Sequence, residues 1–150
     1  MGVLGAMSYF DGRANTEAMA AAGSKLAQWA RGLSIGGHDD WYLPSQDELE
    51  ICYRNLKPST GKNSCWDRSG INLNSLPQGA PYTPESPVQT LAEAFRKGAY
   101  EAFDLDWYWT STQHASHSAY AWLQVFDYGV QISSHESLKF RARAVRRLPL

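Results

Sequence analysis

A chain of 150 residues with a net charge of −1 is long enough to bury about two-thirds of the surface its unfolded form exposes. It carries too little basic excess to act as a general binder of nucleic acid or anionic membranes. Hydrophobic content of 43% is ordinary, but 13% aromatic, with six Trp and eight Tyr, is rich. Such rings fill cores and also populate recognition surfaces, because each couples a large apolar area to a polar handle. Two cysteines, Cys52 and Cys65, are too few for a disulfide scaffold. Free, partly buried thiols are the expectation, although a helix and a loop position leave a bridge open.

The first residues, Met1 to Met7, lack the charged and apolar regions of a secretory signal. No stretch approaches the roughly 20 apolar residues that span a bilayer. One domain over 1–150 is expected, with 1–14 a linker or a strand from an upstream region.

Asn15 or Thr16 can cap a first helix, with Glu17 in its first turn. Met19, Ala22, Leu26, Trp29 or Ala30, and Leu33 recur at helical spacing, and Gly32 is a stop. Residues 35–40 read as a turn, so His38, Asp39 and Asp40 are turn residues rather than acid–base groups. Trp41-Tyr42-Leu43-Pro44 is extended, because the residue before proline avoids the helical region.

Ser45 and Glu48 have capping-box spacing, so a second helix begins there, burying Leu49, Cys52, Tyr53 and Leu56 and closing at Lys57-Pro58. Residues 58–86 are rich in Pro, Asn, Ser and Gly without period, the mark of a functional or wrapping loop. Ser86-Pro87 with Val88, Leu91 and Phe95 predicts a third, shorter helix. From Trp107 the period changes to two, predicting strands near 107–112, 119–127, 130–135 and 141–148. Helices followed by strands imply an α+β domain with a mainly antiparallel sheet.

Alternation puts Trp122, Gln124 and Phe126 on one side of a strand and Leu123, Val125 and Asp127 on the other. The first set, with a Trp and a Phe, is the expected core side. Leu123 and Val125 then face outward beside Tyr128, Val130 and Ile132, an apolar patch that marks an interaction site unless a segment such as 58–86 covers it. His114, Ser116, His117 and Tyr120 form one adaptable polar edge with Gln113 and Ser118. Ser134 and His135 form another with Ser133 and Glu136. Tyr among small polar residues suits paratope-like contact. His114, His117 and His135 lack a placed Cys or carboxylate partner, so no metal is expected. Asp104 and Asp106 read as solvated loop charges. Arg141, Arg143, Arg146 and Arg147 are expected to pair with the chain's own acids rather than with phosphate. Phosphate loops, nucleophile elbows and histidine-led triads are absent, and no cofactor is expected.

Trp41-Tyr42-Leu43-Pro44-Ser45 leading into Glu48-Leu49 resembles the start of the C-terminal domain of the Legionella collagen-like adhesin family. Tyr108-Trp109-Thr110-Ser111-Thr112, Ala121-Trp122 with Phe126 and Gly129, and Val145-Arg146 match its later signature. The spacing from Ala121-Trp122 through Gln124, Phe126 and Gly129 to Gln131 is similar to phage and prophage members, some of them the diversified proteins of retroelement systems. The resemblance covers about residues 38–148. It implies a C-type-lectin-like fold, two helices on a twisted antiparallel sheet, with ligands on the late loops and strands. Ala144 stands where adhesin-type sequences often have Cys, so no terminal disulfide is carried over. Leu123-Gln124 follow Trp122 where sugar-binding lectins place calcium ligands, so calcium-dependent sugar binding is not carried over either.

The resulting expectation is a non-enzymatic recognition module, at the tip of a phage or prophage fibre or in an adhesin, on the virion or bacterial cell surface. It would bind a bacterial surface protein or glycan, without nucleic acid or membrane insertion, and by resemblance to fibre tips as a homotrimer. A structural virion component docked on a partner is one rival. An oxidase of the formylglycine-generating type, needing a paired-cysteine copper centre, is the other.

Overall fold

The computed structural model describes residues 2–65 and 68–149, in an α+β arrangement. Three helices, α1 (Gly12–Ala21), α2 (Lys25–Arg31) and α3 (Gln46–Leu56), precede a three-stranded antiparallel sheet of β1 (Trp107–Gln113), β2 (Tyr120–Val125) and β3 (Gln131–His135), in that spatial order. Among the described residues no helix is long and apolar enough to cross a membrane.

Helix α3 organises the rest. Its capping box forms as its sequence predicts: the Ser45 side chain accepts from Glu48 N, and the Glu48 carboxylate accepts from Ser45 N. The two remaining orphan amides of the first turn also find partners. Gln46 N donates to Thr112 Oγ1 at 2.9 Å and Asp47 N to Tyr9 O at 3.0 Å, so this end is buried without loss. The expected face is the buried one: Leu49 and Tyr53 join Tyr82, Phe103, Tyr108 and Phe126, with Cys52 and Leu56 packed against them. Both cysteines are free.

The single first helix expected from Asn15 or Thr16 is corrected to two. Asp11 caps α1, and Gly23, at φ 96°, turns the chain out of it before Ser24 caps α2. Gly32 ends α2 as expected. Asn15 and Thr16 lie inside α1 and are buried because tertiary partners use their side chains. Asn15 Nδ2 donates to Ser8 O at 2.7 Å, and Thr16 Oγ1 accepts from Leu43 N at 3.1 Å. A side chain at Gly12 would meet Glu48 Oε1 and Leu43 O within 2.6 Å, so only glycine lets α1 dock there.

The third helix expected from Ser86 is absent, apart from a short 3₁₀ turn at Glu93–Phe95. The backbone here and just beyond serves the end of α3 instead: Thr90 N donates to Lys57 O at 2.9 Å and Lys97 N to Pro58 O at 2.8 Å. Val88 and Leu91 are exposed rather than packed. The strand expected over 141–148 is likewise reduced to two isolated bridges. Arg141 pairs parallel to Tyr108 on the free edge of β1, and Val145 pairs with Tyr42. The arginines of this segment do meet the chain's own acids: Arg141 with Asp104 and Asp106, Arg143 with Glu101, Arg146 with Asp40, and Arg147 with Asp11.

The two-sided reading of β2 needs the largest correction. Phe126 points into the core, stacked on Phe103 with centroids 4.1 Å apart. Leu123 and Val125 are buried as well, both at 0% exposure, and Val130 is at 2%. They do not face solvent. Leu123 lies opposite Trp109 and Val125 opposite Trp107, and Phe140 from the C-terminal segment rests against both indoles at 5.2 Å. The second half of β2, Leu123 to Val125, is covered on both faces, and there alternation loses the meaning it carries when one face is wet.

Candidate ligand-recognition site

The sequence-predicted site residues separate into three groups. Leu123, Val125 and Val130 are interior, as described. Asp127 and Tyr128 sit in the turn after β2, with Asp127 half-buried and Tyr128 exposed. His114, Ser116, His117, Tyr120, Ser134 and His135 gather at the opposite end of the strands, about 20 Å away along β2. The sheet therefore unites only the last group.

That end is set by the β1–β2 connection. His114 N donates to Tyr120 O and Tyr120 N to His117 O, each at 2.9 Å, which folds 114–120 into a tight return. Tyr120 pairs in register with His135 on β3, and Ser134 faces Ala121 one residue along. The result is a continuous file of rings. His135 meets Tyr120 at 5.6 Å, Tyr120 meets His117 at 5.8 Å, His117 meets His114 at 4.8 Å, and His114 stacks on Trp122 at 5.2 Å and 19°.

Beyond Trp122 the file continues through residues for which the sequence offered no signal. Tyr9 lies 6.5 Å from the indole, and the Arg68 guanidinium sits over both rings, 5.0 Å from Tyr9 and 5.8 Å from Trp122. Arg68 is held in place by Asp47 Oδ1 at 3.3 Å. Tyr9 belongs to an N-terminal stretch without periodicity and Arg68 to the irregular loop, so only tertiary folding brings them here. Trp122, expected as a plain core anchor, is half-buried and bridges core to surface. Its Nε1 is buried without a hydrogen-bond partner, as are amide atoms of Gln46, Gln124 and Gln131, the last two being cross-strand neighbours.

Electrostatically the two ends of the strands differ. Burial pushes the Asp127 carboxyl up from the usual carboxylate range, and its Oδ1 is unpartnered. The ring file combines imidazoles, a phenol and an indole with the hydroxyl of Ser116, all able to donate or accept hydrogen bonds. Tyr120 and His117 are exposed, so their rings are open to stacking contacts. On the other side of the sheet a cavity of about 540 Å³ lies between the α1–α2 turn and the strands, with Met19, Leu26, Trp109 and Ala121 among its walls.

No curated protein and no solved structure matches the chain. The family model of the Lcl C-terminal domain matches residues 7–146, which include the capping box, every strand and the whole ring file, and the chain belongs to that family.

Proposed function

We propose that this chain is a non-enzymatic ligand-recognition domain that holds its target against the file of rings from His135 to Trp122. It is the receptor-binding module of a phage or prophage tail fibre or of an adhesin, displayed on a virion or bacterial surface, with a C-type-lectin-like fold and a bacterial surface protein or glycan as target. Family membership is consistent with adhesin-like recognition. The observation that carries the reading is the continuity of the ring file, in which Tyr120 and His117 are exposed while Trp122 anchors them to the core. Aromatic anchors surrounded by small polar groups concentrate binding energy in few residues. Weak single contacts would be multiplied on a trimeric tip.

The test is adsorption of the purified chain to host cells. Tyr120→Ala and His117→Ala should each weaken it, while Tyr128→Asp, at the far end of the sheet, leaves it unchanged. Full adsorption by a folded Tyr120→Ala/His117→Ala double variant removes this face from consideration.

A structural virion role draws support from Leu76, Leu91 and Tyr100, apolar side chains at 98%, 86% and 99% exposure. A copurified partner that buries them, together with adsorption indifferent to the ring file, would select that reading. The oxidase alternative needs a thiolate pair. Burial pushes the Cys52 thiol up to about 11, which disfavours the thiolate that copper requires.

A further inference from the structure

We propose that His114 and His117 form a proton-operated latch that holds the 114–120 return closed at neutral pH and opens it on acidification. The latch regulates the ring file, so its functional consequence rests on the recognition reading, whereas its opening is measured without any target.

Hydrogen-bond directions fix where the protons sit. Ser116 N donates to His114 Nδ1 at 3.1 Å, and a backbone amide can only donate, so that nitrogen carries a lone pair. His117 Nδ1 lies 3.3 Å from the same atom and therefore supplies the hydrogen between the two rings. His114 thus accepts twice at one nitrogen and carries its own hydrogen on Nε2. The two imidazoles then respond to acid differently. His117 takes a proton at Nε2 and keeps its Nδ1–H bond. His114 can take one only at Nδ1, where the added hydrogen faces two donors and both bonds break.

One such bond is worth about 2- to 12-fold in the ratio of closed to open forms, so losing two moves that ratio by roughly 5- to 150-fold. The doubly protonated pair also sets two positive rings with centroids 4.8 Å apart. The closed form excludes the second proton, so it is favoured above the imidazole range and lost as pH falls through it.

The titratable and charged neighbours are few. Tyr120 and His135 continue the file beyond His117, and Tyr9 and Arg68 lie across Trp122. Glu136, whose amide donates to Ala119 O, is the only acid in the two turns. His135 repeats the arrangement of His114, its Nδ1 accepting from Ser137 N at 3.2 Å. Opening parts His117 from His114 and interrupts the file at the step that joins exposed Tyr120 to Trp122.

Nuclear magnetic resonance of the whole chain between about pH 8 and about pH 5 tests the latch. The Ser116 amide shift should move, and contacts between the two imidazole rings should vanish, with a midpoint in the imidazole range; the Ser137 amide follows His135 separately. His114→Asn, whose amide oxygen accepts near the position of Nδ1 but does not titrate, should keep the Ser116 shift constant. A constant Ser116 shift and ring contact in the parent, or the parent's Ser116 titration persisting in His114→Asn, would overturn the latch. Adsorption to host cells at the two pH values is the second arm. It should weaken in the parent at acid pH, by up to the same roughly 5- to 150-fold, and change less in His114→Asn. A Ser116 titration with constant adsorption would leave the latch standing and remove the ring file as the binding face.

Discussion

The phenol of Tyr82, in the middle of the long irregular segment, donates to the carboxylate of Glu50, in the middle of α3, at 2.5 Å. Both side chains are buried. Glu50 also accepts from Arg54 Nε at 3.1 Å and from Asn72 Nδ2 at 3.0 Å, so one carboxylate fastens helix and loop together. Asp47, one turn earlier, does the same for Arg68 and for Asn74, whose Nδ2 lies 2.5 Å away. The acids of α3 are thus the reason a segment without secondary structure holds a fixed course.

Tyr82→Phe removes one donor while the ring stays. Glu50 keeps its other partners, so the cost should be about 1–3 kcal/mol, read as a lower urea midpoint at unchanged slope. Glu50→Ala should cost more, because Arg54, Asn72 and Tyr82 all lose their acceptor. A Tyr82→Phe variant as stable as its parent would show that the bond contributes nothing net.

Phe126 is the centre of the aromatic core, in contact with the rings of Tyr53, Phe103 and Tyr108. Phe126→Ala should cost about 3–5 kcal/mol, whereas Phe126→Leu, which leaves a smaller hole, costs less. Thermal unfolding followed by near-ultraviolet circular dichroism measures both.

Gly129 has φ 78°, and a side chain there would lie 2.5 Å from the Tyr53 ring. Gly129→Ala combines strain in the left-handed region with a clash against a buried ring. It should destabilise by at least about 1–3 kcal/mol. Urea unfolding should register it as a lower midpoint, and an unchanged midpoint would contradict the turn as described.

Asp127 introduces a pH dependence of definite sign. Burial raises its folded carboxyl above the unfolded value, so the folded state holds the proton more tightly. The stability this contributes is present below the unfolded carboxylate range and is lost as pH rises through the folded value. Asp127→Asn should abolish that dependence, and the stability difference between parent and variant should shift towards the parent on acidification. Parallel pH profiles for the two proteins would refute it.

Cys52 and Cys65 should separate chemically. Cys65 is exposed, whereas burial holds the Cys52 thiol at about 11. A thiol-specific reagent near neutral pH should therefore label one cysteine in the folded chain and both after denaturation, with peptide mapping assigning the first to Cys65.

Local signals succeeded where the chain satisfied them locally. Ser45 and Glu48 meet within one turn, the apolar face of α3 follows from its period, and the strands near Trp107, Tyr120 and Gln131 appear where alternation begins. Local signals failed where distant partners outbid them. In the segment from Ser86 to Phe95, Thr90 gives its amide to Lys57 O, and just beyond it Lys97 gives its amide to Pro58 O. Gly23, by contrast, is a local break that the apolar period alone conceals.

The candidate site follows the same division. Alternation separates Trp122 and Phe126 from Leu123 and Val125, and the polar end residues His114, His117, Tyr120 and His135 stand out as adaptable groups from composition alone. Which face would be wet could not be read, because that depends on Phe140 folding back over Trp107 and Trp109. Nor could the ring file be read, since Tyr9, Arg68 and Trp122 are far apart along the chain and adjacent only in space. Helix caps and strand periods arise from bonds between near neighbours and so are written in the order of residues. Burial and surface continuity arise from contacts across the whole chain, and only folding creates them.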